Sequence, residues 1–424
     1  MNTVENTLKY AQKQDAADIL ASFRDLFYHP EINGKQALYF TGNSLGLQPK
    51  SAEAYLKQEL EDWRKYGVEG HFEARRPWYS YHEFFSKAMA EIAGAKESEV
   101  VAMGSLTANI HSLMASFYQP TKTRYKILCE KKAFPSDTYA MQSQAKLHGF
   151  DIADAIIEIA PAKGSDIITE DAIIEKIYEL GDSLATVMIG GVNYYSGQVF
   201  DMAVITDVAH KVGAYCGFDL AHGMGNIEVK LHEWQVDFAA WCTYKYLNGG
   251  PGSVGGLFVH KNHHKRKFPI LAGWWGHDKE TRFKMEPEFV PMQSAEAWQM
   301  SNAPVFNMAI YLASLEMFQE ATMPRLLAKS RPLTDYLEYV IQEVVKETGA
   351  DLEIITPKEH HRRGCQLSVV AHGYGRKLFD QITADGVIAD WREPNVIRMA
   401  PVPLYNSYED VYRFGEILKK ALTA

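Results

Sequence analysis

Lys245 and Asp219 are the two residues whose types and positions point most directly to chemistry. Lys245 follows an apolar run typical of a buried strand, and Asp219 ends the apolar run before it. Pyridoxal phosphate (PLP) chemistry needs such a pair, because a lysine must hold the cofactor as a Schiff base and a carboxylate must keep the pyridine nitrogen protonated. A lysine after a strand is usually a surface residue, so it is the accompanying aspartate that favours a PLP site.

A third polar group, Asp137, follows an earlier apolar run in the segment Phe-Pro-Ser-Asp. Ligands of open α/β sheets bind outside the carboxyl ends of the strands. Each polar residue could instead cap a helix, which is common for Asp and Ser after a strand. Three suitable groups after three strands favour a shared site.

Residues 103–109 supply a glycine and two hydroxyls just before a helical pattern, as a phosphate site requires. The glycines of 249–256 could also hold phosphate, but we expect them to turn the chain beside Lys245. Neither a P-loop nor a dinucleotide fingerprint is present.

The elements that must position these residues form an alternating pattern. Apolar runs rich in Val, Ile and Phe predict strands, and helix-period segments lie between them. Such alternation indicates an α/β fold with a mostly parallel sheet covered by helices on both faces. The predicted strands are 125–129, 156–160, 185–189, 214–218, 238–242 and 255–259, and the helices between them are 136–148, 170–178 and 204–212.

The flanking regions predict further structure and a division into domains. A chain of 424 residues exceeds one usual domain. Residues 273–300 are rich in Trp, Pro and Met with little periodicity, which predicts a long functional loop. Further helices are predicted at 57–66, 81–93 and 305–320, and strands at 366–370 and 396–399. We expect an N-terminal segment that packs with the small domain, a large domain and a small C-terminal α/β domain, over 1–50, 51–303 and 304–424.

Composition excludes several classes of function. A formal net charge of −9 argues against a general nucleic-acid binder. The four cysteines are scattered without a C-x-x-C pair, which suits free thiols in a reducing compartment. The start of the chain lacks a signal-peptide pattern, and no apolar run approaches the ~20 residues that span a bilayer. We therefore expect a cytoplasmic protein that does not bind membranes.

The sequence resembles the kynureninase family, which consists of fold-type I PLP enzymes. The resemblance covers nearly the whole chain, and its specific segments are 39–47, 132–137, 194–198, 273–276 and 399–407. It implies the fold-type I PLP-dependent transferase fold, with a large, mainly parallel sheet domain and a smaller C-terminal domain. It also implies pyridoxal 5'-phosphate as cofactor and no metal.

The resemblance implies roles for individual residues. Lys245 matches the Schiff-base lysine, Asp219 and Asp137 match carboxylates facing the pyridine nitrogen, and Tyr244 matches a phosphate ligand that relays a proton. Arg398 matches the clamp on the substrate carboxylate, a role that suits the planar guanidinium fork. The residues implied to bind the cofactor are Leu106, Thr107, Phe134, Pro135, Ser136, Asp137, Asp219, His222, Tyr244, Lys245, Trp274 and Asn302. Those implied to contact the substrate are Ser44, His71, Ser301, Asn302 and Arg398.

The activity implied by the resemblance is hydrolysis of L-kynurenine to anthranilate and L-alanine. The 3-hydroxy form would give 3-hydroxyanthranilate, and the reaction belongs to tryptophan catabolism and NAD biosynthesis. Trp274 and Asn302 match residues that reach the cofactor from a second subunit, which implies a homodimer. Gly190 stands where some relatives are expected to have a serine, so any cofactor contact here would come from the backbone.

Other functions remain open from the residues. A cysteine desulfurase of the same fold needs a mobile nucleophilic cysteine, and Cys365 is the only candidate by location. Cys365 leads straight into an apolar strand, which favours a structural role. An aminotransferase shares the early steps and is harder to exclude. A silent PLP-fold binding protein would be expected to lack the lysine or the aspartate, and both are here.

Overall fold

The computed structural model describes residues 4–423. The α-helices are α1 (Leu8–Ala16), α2 (Ala52–Tyr66), α3 (Gly70–Glu73), α4 (Glu83–Ala93), α5 (Leu106–Phe117), α6 (Pro135–Leu147), α7 (Ile152–Ala155), α8 (Glu170–Leu180), α9 (Met202–Lys211), α10 (Val305–Ala321), α11 (Met323–Thr348), α12 (Arg376–Ala384) and α13 (Tyr408–Thr423). The strands are β1 (Glu31–Ile32), β2 (Lys35–Gln36), β3 (Leu38–Tyr39), β4 (Val100–Ala102), β5 (Lys126–Glu130), β6 (Ile156–Ile159), β7 (Leu184–Gly190), β8 (Tyr215–Asp219), β9 (Phe238–Cys242), β10 (Gly255–Val259), β11 (Leu352–Ile354), β12 (Leu367–Ala371), β13 (Val387–Ile388), β14 (Asp390–Arg392) and β15 (Val396–Met399).

A seven-stranded sheet forms the centre of the large domain, in the order β4-β10-β9-β8-β7-β5-β6. The strands from β9 to β6 are parallel, and β10 runs antiparallel to both of its neighbours. Every residue of β7, β9 and β10 is buried, because helices cover both faces of the sheet. The α/β fold with a mainly parallel sheet is therefore confirmed.

Two apolar cores lie on the two faces of this sheet. One includes residues of α4, α8, α9 and α10, and the other includes residues of α5 and α6.

Strands β9 and β10 have the predicted bounds, whereas α2 begins five residues before its predicted start at 57. The buried residues of α2 include Glu59 and Asp62, and buried charges hide the apolar face from a periodicity argument.

A second sheet is antiparallel, in the order β11-β12-β15-β14, and shares a core with α11 and α13. Helix α1 packs on α13, and β3 pairs with β13, so parts of the N-terminal segment contact this unit. The division into three segments stays a proposal, and the packing of α10 against α2 and α4 favours a boundary after α10.

The predicted long loop at 273–300 contains neither an α-helix nor a strand in the structure. Its regular parts are the short 3₁₀ helices Trp274–Gly276, Arg282–Lys284 and Ala295–Trp298. Across residues 4–423, none of the helices is both long and apolar enough to cross a membrane.

Candidate active site

One pocket collects most of the residues singled out by the sequence. It lies at the carboxyl ends of the parallel strands β9, β8, β7 and β5, where an open α/β sheet binds its ligands. The residues that line it are Ser105, Leu106, Thr107, Glu130, Phe134, Ser136, Asp137, Gly190, Val192, Tyr194, Asp219, Ala221, His222, Tyr244 and Lys245.

Lys245 and Asp219 meet in this pocket because they follow adjacent strands. Asp219 is the last residue of β8 and pairs with Ala240 of β9, while Lys245 lies in the turn after β9. The Asp219 carboxylate accepts a hydrogen bond of 2.6 Å from the backbone N–H of Ala221, which fixes its orientation. Burial raises the pKa of Asp219, and the positive charge of Lys245 opposes that shift.

Two further carboxyl groups, Asp137 and Glu130, lie beside Asp219. Burial raises the pKa of Asp137 well above its usual range, and the negative charges of Asp219 and Glu130 add to the shift. Burial also raises the pKa of Glu130 to about 7, with a smaller contribution from Asp219. Three carboxyl groups around one lysine cannot all be ionised in a buried site, so protons are shared among them.

Two buried polar atoms in the pocket lack a partner within the described chain: Oδ1 of Asp137 and Nδ1 of His222. Burial lowers the pKa of His222 well below its ordinary value, and the charge of Lys245 adds to this, so the imidazole is neutral. Buried polar groups usually have hydrogen-bond partners. A heterocycle bound in the pocket would supply the partners that these two atoms lack.

An aromatic side chain stands over the same space. Nζ of Lys245 lies 5.8 Å from the ring centroid of Phe134, and Phe134 meets Tyr194 edge-to-face at 5.4 Å. Phe134 is 38% exposed, so one face of its ring is free to stack on a planar group. The residues therefore fit a pyridine ring held between Phe134 and the carboxylates.

The amino end of α5, where the sequence predicts a phosphate site, lines the pocket. Its N-cap residue, Ser105, makes no side-chain capping hydrogen bond, which leaves the first N–H groups of the helix available to an anion. Gly104 has a φ of 55°, and a Cβ there would lie 2.4 Å from Oδ1 of Asn109, so glycine is required at this turn. The glycines at 249 and 250 line a different groove and are not among the residues that line this pocket.

Four other residues that the sequence predicts for the site lie outside the lining of this pocket. Trp274 is 46% exposed, and its indole N–H donates to the carbonyl of Arg282 at 3.0 Å. Ser301 and Asn302 are exposed and hydrogen-bonded to each other at 3.0 Å. His71 lies in α3, where its Nδ1 is 2.9 Å from the carbonyl oxygen of Val68.

Arg398 lies just behind the pocket wall. It is buried on β15, pairs with Asp390 at 2.6 Å and donates to the carbonyl of Tyr194, which lines the pocket. Its Nε has no partner in the described part of the chain. Ser44 is exposed in a separate groove that it shares with Asp390, the carboxylate partner of Arg398.

Some site features were not anticipated from the sequence. Glu130 and Tyr194 line the pocket, although the sequence argument gave them no role. The signal for Glu130 was available, since it ends an apolar run as Asp219 does. Asp137 is the third residue of α6 and not its cap, and Pro135 opens that helix outside the pocket lining. Gly190 offers only its backbone, and its N–H donates to both Glu130 oxygens at 3.2 and 3.3 Å.

Cys365 is fully buried before β12, and burial raises the pKa of its thiol to about 12. Such a thiol stays protonated at neutral pH and is inaccessible, so it cannot serve as the mobile nucleophile of a desulfurase.

Comparisons with known proteins find relatives along nearly the whole chain. A family model described as the kynureninase C-terminal domain matches residues 326–418. Kynureninase of Christiangramia forsetii is 54% identical over 419 residues, which cover 99% of both chains. Kynureninase of Myxococcus xanthus is 48% identical over 417 residues, or 98% of this chain and 97% of that one.

Solved structures with the same fold are more distant in sequence. A cysteine desulfurase from Escherichia coli has a TM-score of 0.76 at 15% identity and covers 95% of this chain and 98% of its own. A mutant of the enzyme C-DES, with glycine covalently linked to its PLP cofactor, also has a TM-score of 0.76 at 15% identity, covering 90% of this chain and 96% of its own. At 15% sequence identity, this structural similarity supports the shared fold alone.

Proposed function

The chain belongs to the kynureninase family, and from that premise we propose how its own residues carry out the family's reaction. The reaction is the PLP-dependent hydrolysis of L-kynurenine to anthranilate and L-alanine. The observation that supports the assignment of roles is the meeting of Lys245 and Asp219 in one pocket, with Phe134 over the space between the strand ends.

When bound, PLP supplies an electron sink conjugated to the substrate's Cα. Lys245 would hold the cofactor through Nζ, and its amine would take the proton from the substrate's Cα. Asp219 would hold the pyridine nitrogen of the cofactor and keep it protonated. Its fixed orientation, set by the Ala221 N–H, keeps that contact in place.

Asp137 and Glu130 determine how many protons the carboxyl groups of the pocket carry. Because the pKa of Asp137 is raised well above its usual range by burial and by the neighbouring carboxylates, Asp137 is the member of the group that keeps a proton. A protonated Asp137 leaves Asp219 as the anion that faces the pyridinium. Two ionised carboxylates at this position would repel each other in a buried site.

Tyr244 is the proposed proton relay. Burial raises the pKa of its hydroxyl, so the group keeps its proton at neutral pH and can donate it. It lies one residue from Lys245 and lines the same pocket as Leu106 and Thr107 at the phosphate end. Water would add to the γ-carbonyl of the substrate, and the Cβ–Cγ bond would then break to release anthranilate. Tyr244 would donate its proton to Cβ of the remaining alanyl fragment.

Arg398 is the proposed partner of the substrate carboxylate. Its terminal nitrogens contact Asp390 and the Tyr194 carbonyl, and its Nε is unsatisfied. A bidentate carboxylate contact would use Nε together with one terminal nitrogen. Substrate binding would therefore exchange at least one of the present Arg398 contacts.

A second copy of the chain is the proposed source of the remaining site residues. Trp274, Ser301 and Asn302 are exposed, and they neither line the pocket nor contact Lys245 in their own chain. We place them, with His71 and Ser44, around the substrate of a homodimer with shared active sites. The 3-hydroxy substrate, a cytoplasmic location and a role in tryptophan catabolism and NAD biosynthesis belong to the same proposal.

Mixed dimers test this arrangement. Co-expression of a Lys245→Ala chain with a Trp274→Ala chain should give dimers in which one of two sites is intact, restoring about a quarter of wild-type activity if chains pair at random. The matched control pairs Lys245→Ala with Asp219→Ala. Both of those residues belong to one chain's pocket, so no intact site can form. Equal activity in the two mixtures would contradict a shared site.

A further inference from the structure

A second cavity of about 330 Å³ lies away from the PLP pocket, between the two sheet-containing units. One side is formed by the starts of α8 and α9 and by residues 226–228, which belong with the large sheet. The other side is formed by α11 and by residues 360–364, which lead into β12 of the second sheet. The mechanism proposed above uses none of the residues that line this cavity.

The acidic groups of the cavity already have partners. Asp201 caps α9 by accepting a hydrogen bond of 3.0 Å from the N–H of Val204. Glu228 pairs with Lys230 at 3.6 Å, and Glu170 pairs with Arg362 at 3.5 Å. Each of these carboxylates therefore has at least one partner in the described chain.

Two of the basic side chains have no such partner, whereas His360, Arg362 and Arg363 pair with acidic residues. Arg331 and His361 form no ion pair and no hydrogen bond with residues 4–423. The buried Nε of Arg362 has no partner either. Ser330 and Thr334 are 5% and 1% exposed and line the cavity from α11, and the buried hydroxyl of Thr334 has no hydrogen-bond partner in the described chain. A set of unsatisfied donors with two buried hydroxyls is what an anion requires.

Apolar side chains also line the cavity, most of them on the side that faces α11. They are Phe200, Met202, Ile227, the half-buried indole of Trp234 and, on α11 itself, Leu327. A phosphate or sulfate ion would leave these side chains in contact with water, whereas a ring attached to the anion would cover them. We propose that the cavity binds a small aromatic carboxylate, with the carboxylate on Arg331, His361 and Arg362 and the ring against Trp234.

One residue of the cavity lining is hydrogen-bonded to a residue of the PLP pocket. Asn226 lines the cavity, donates to the carbonyl of His222 at 2.8 Å and accepts the N–H of Cys365 at 2.9 Å. His222 lines the PLP pocket, and Cys365 lies just before β12 of the second sheet. The ligand therefore sits where the two units and the PLP pocket are joined through one side chain.

Calorimetric titration of the holoenzyme with benzoate tests the proposal. Reversing the charge in Arg331→Glu should weaken the benzoate affinity at least about tenfold, because a carboxylate would then face the ligand's carboxylate. Arg331 is exposed and lies outside the catalytic pocket, so kcat and KM for L-kynurenine without benzoate should not change. Lys346→Glu is the matched control, since Lys346 lies on the same helix, is 77% exposed and is remote from the cavity residues.

The outcomes are distinct. Benzoate binding that is weakened in Arg331→Glu and retained in Lys346→Glu supports the site. Equal binding by wild type and Arg331→Glu overturns the proposal, because benzoate would then bind elsewhere. Equal weakening of benzoate binding in both variants also overturns it, as does the absence of benzoate binding to the wild type. Inorganic phosphate that binds as tightly as benzoate and is lost in Arg331→Glu overturns the aromatic class of ligand.

Discussion

Replacing Glu130 by glutamine should change the stability of the cofactor-free protein in a pH-dependent way. Glu130 is buried at the end of β5, and both of its oxygens accept the N–H of Gly190. Burial raises the pKa of Glu130 from 4.5 to about 7. The glutamine side chain keeps the shape and one acceptor, and it removes the ionisable proton.

The sign and size of the effect follow from that shift. A carboxyl group whose pKa is higher in the folded state stabilises the fold fully below pH 4.5, and this contribution is lost as the pH rises to about 7. A shift of this size corresponds to on the order of 3 kcal/mol. Relative to wild type, Glu130→Gln should therefore gain stability progressively between these two pH values, with the full gain above them.

Thermal unfolding of both proteins without cofactor, at a series of pH values from 5 to 8, measures this difference. The Tm of Glu130→Gln minus that of wild type should rise by several degrees across the series. The matched control is Glu158→Gln, an exposed glutamate on the neighbouring strand β6. A Tm difference for Glu130→Gln that does not depend on pH would refute the idea that Glu130 is protonated in the folded protein.

Three further predictions follow from the packing and the charges. Gly217→Ala should lower stability by about 1–3 kcal/mol in thermal or chemical unfolding, because its Cβ would lie 2.0 Å from the Phe238 ring; unchanged stability would contradict the packing of β8 on β9. Burial opposes ionisation of Glu296, but its hydrogen bond with His82 and the charge of a nearby lysine lower its pKa to about 2. The stabilisation by Glu296 is thus present above pH 4.5 and lost as the pH falls towards 2. The wild-type Tm should therefore fall more steeply with acid than the Tm of Glu296→Gln. Parallel curves of Tm against pH would argue against the interaction of Glu296 with His82. Cys365→Ala should keep cofactor binding and hydrolysis, and a folded but inactive variant would contradict a structural role for this thiol.

Strands were predicted correctly where the local hydrophobic pattern agrees with their burial. Continuous apolar runs predicted β9 and β10 with their observed bounds, because strands covered by helices on both faces need no polar alternation. Lys245 and Asp219 could be placed together for a related reason. Residues that follow neighbouring parallel strands must meet at one edge of the sheet.

Sequence patterns did not predict the parts of the structure that depend on charges inside the core. Glu59 is fully buried in α2, where it accepts hydrogen bonds of 2.9 Å from Trp78 and Tyr81, so a polar residue occupies a core position. Glu130 was missed for the same reason, since a glutamate at the end of an apolar run looks like the start of a loop. The separation of Trp274 from the pocket depends on tertiary packing, which the spacing of residues along one chain does not encode.

The central claim is that Lys245 carries the cofactor for hydrolysis of L-kynurenine. The most direct test reduces the holoenzyme with borohydride, locates the cofactor by peptide mass spectrometry, and follows products from L-kynurenine with wild type and Lys245→Ala. We predict cofactor on Lys245 in the wild type, anthranilate and L-alanine released in equal amounts, and neither result with the variant. Cofactor on Lys245 without anthranilate would point to transamination and contradict the assignment, and cofactor on no lysine would contradict the site itself.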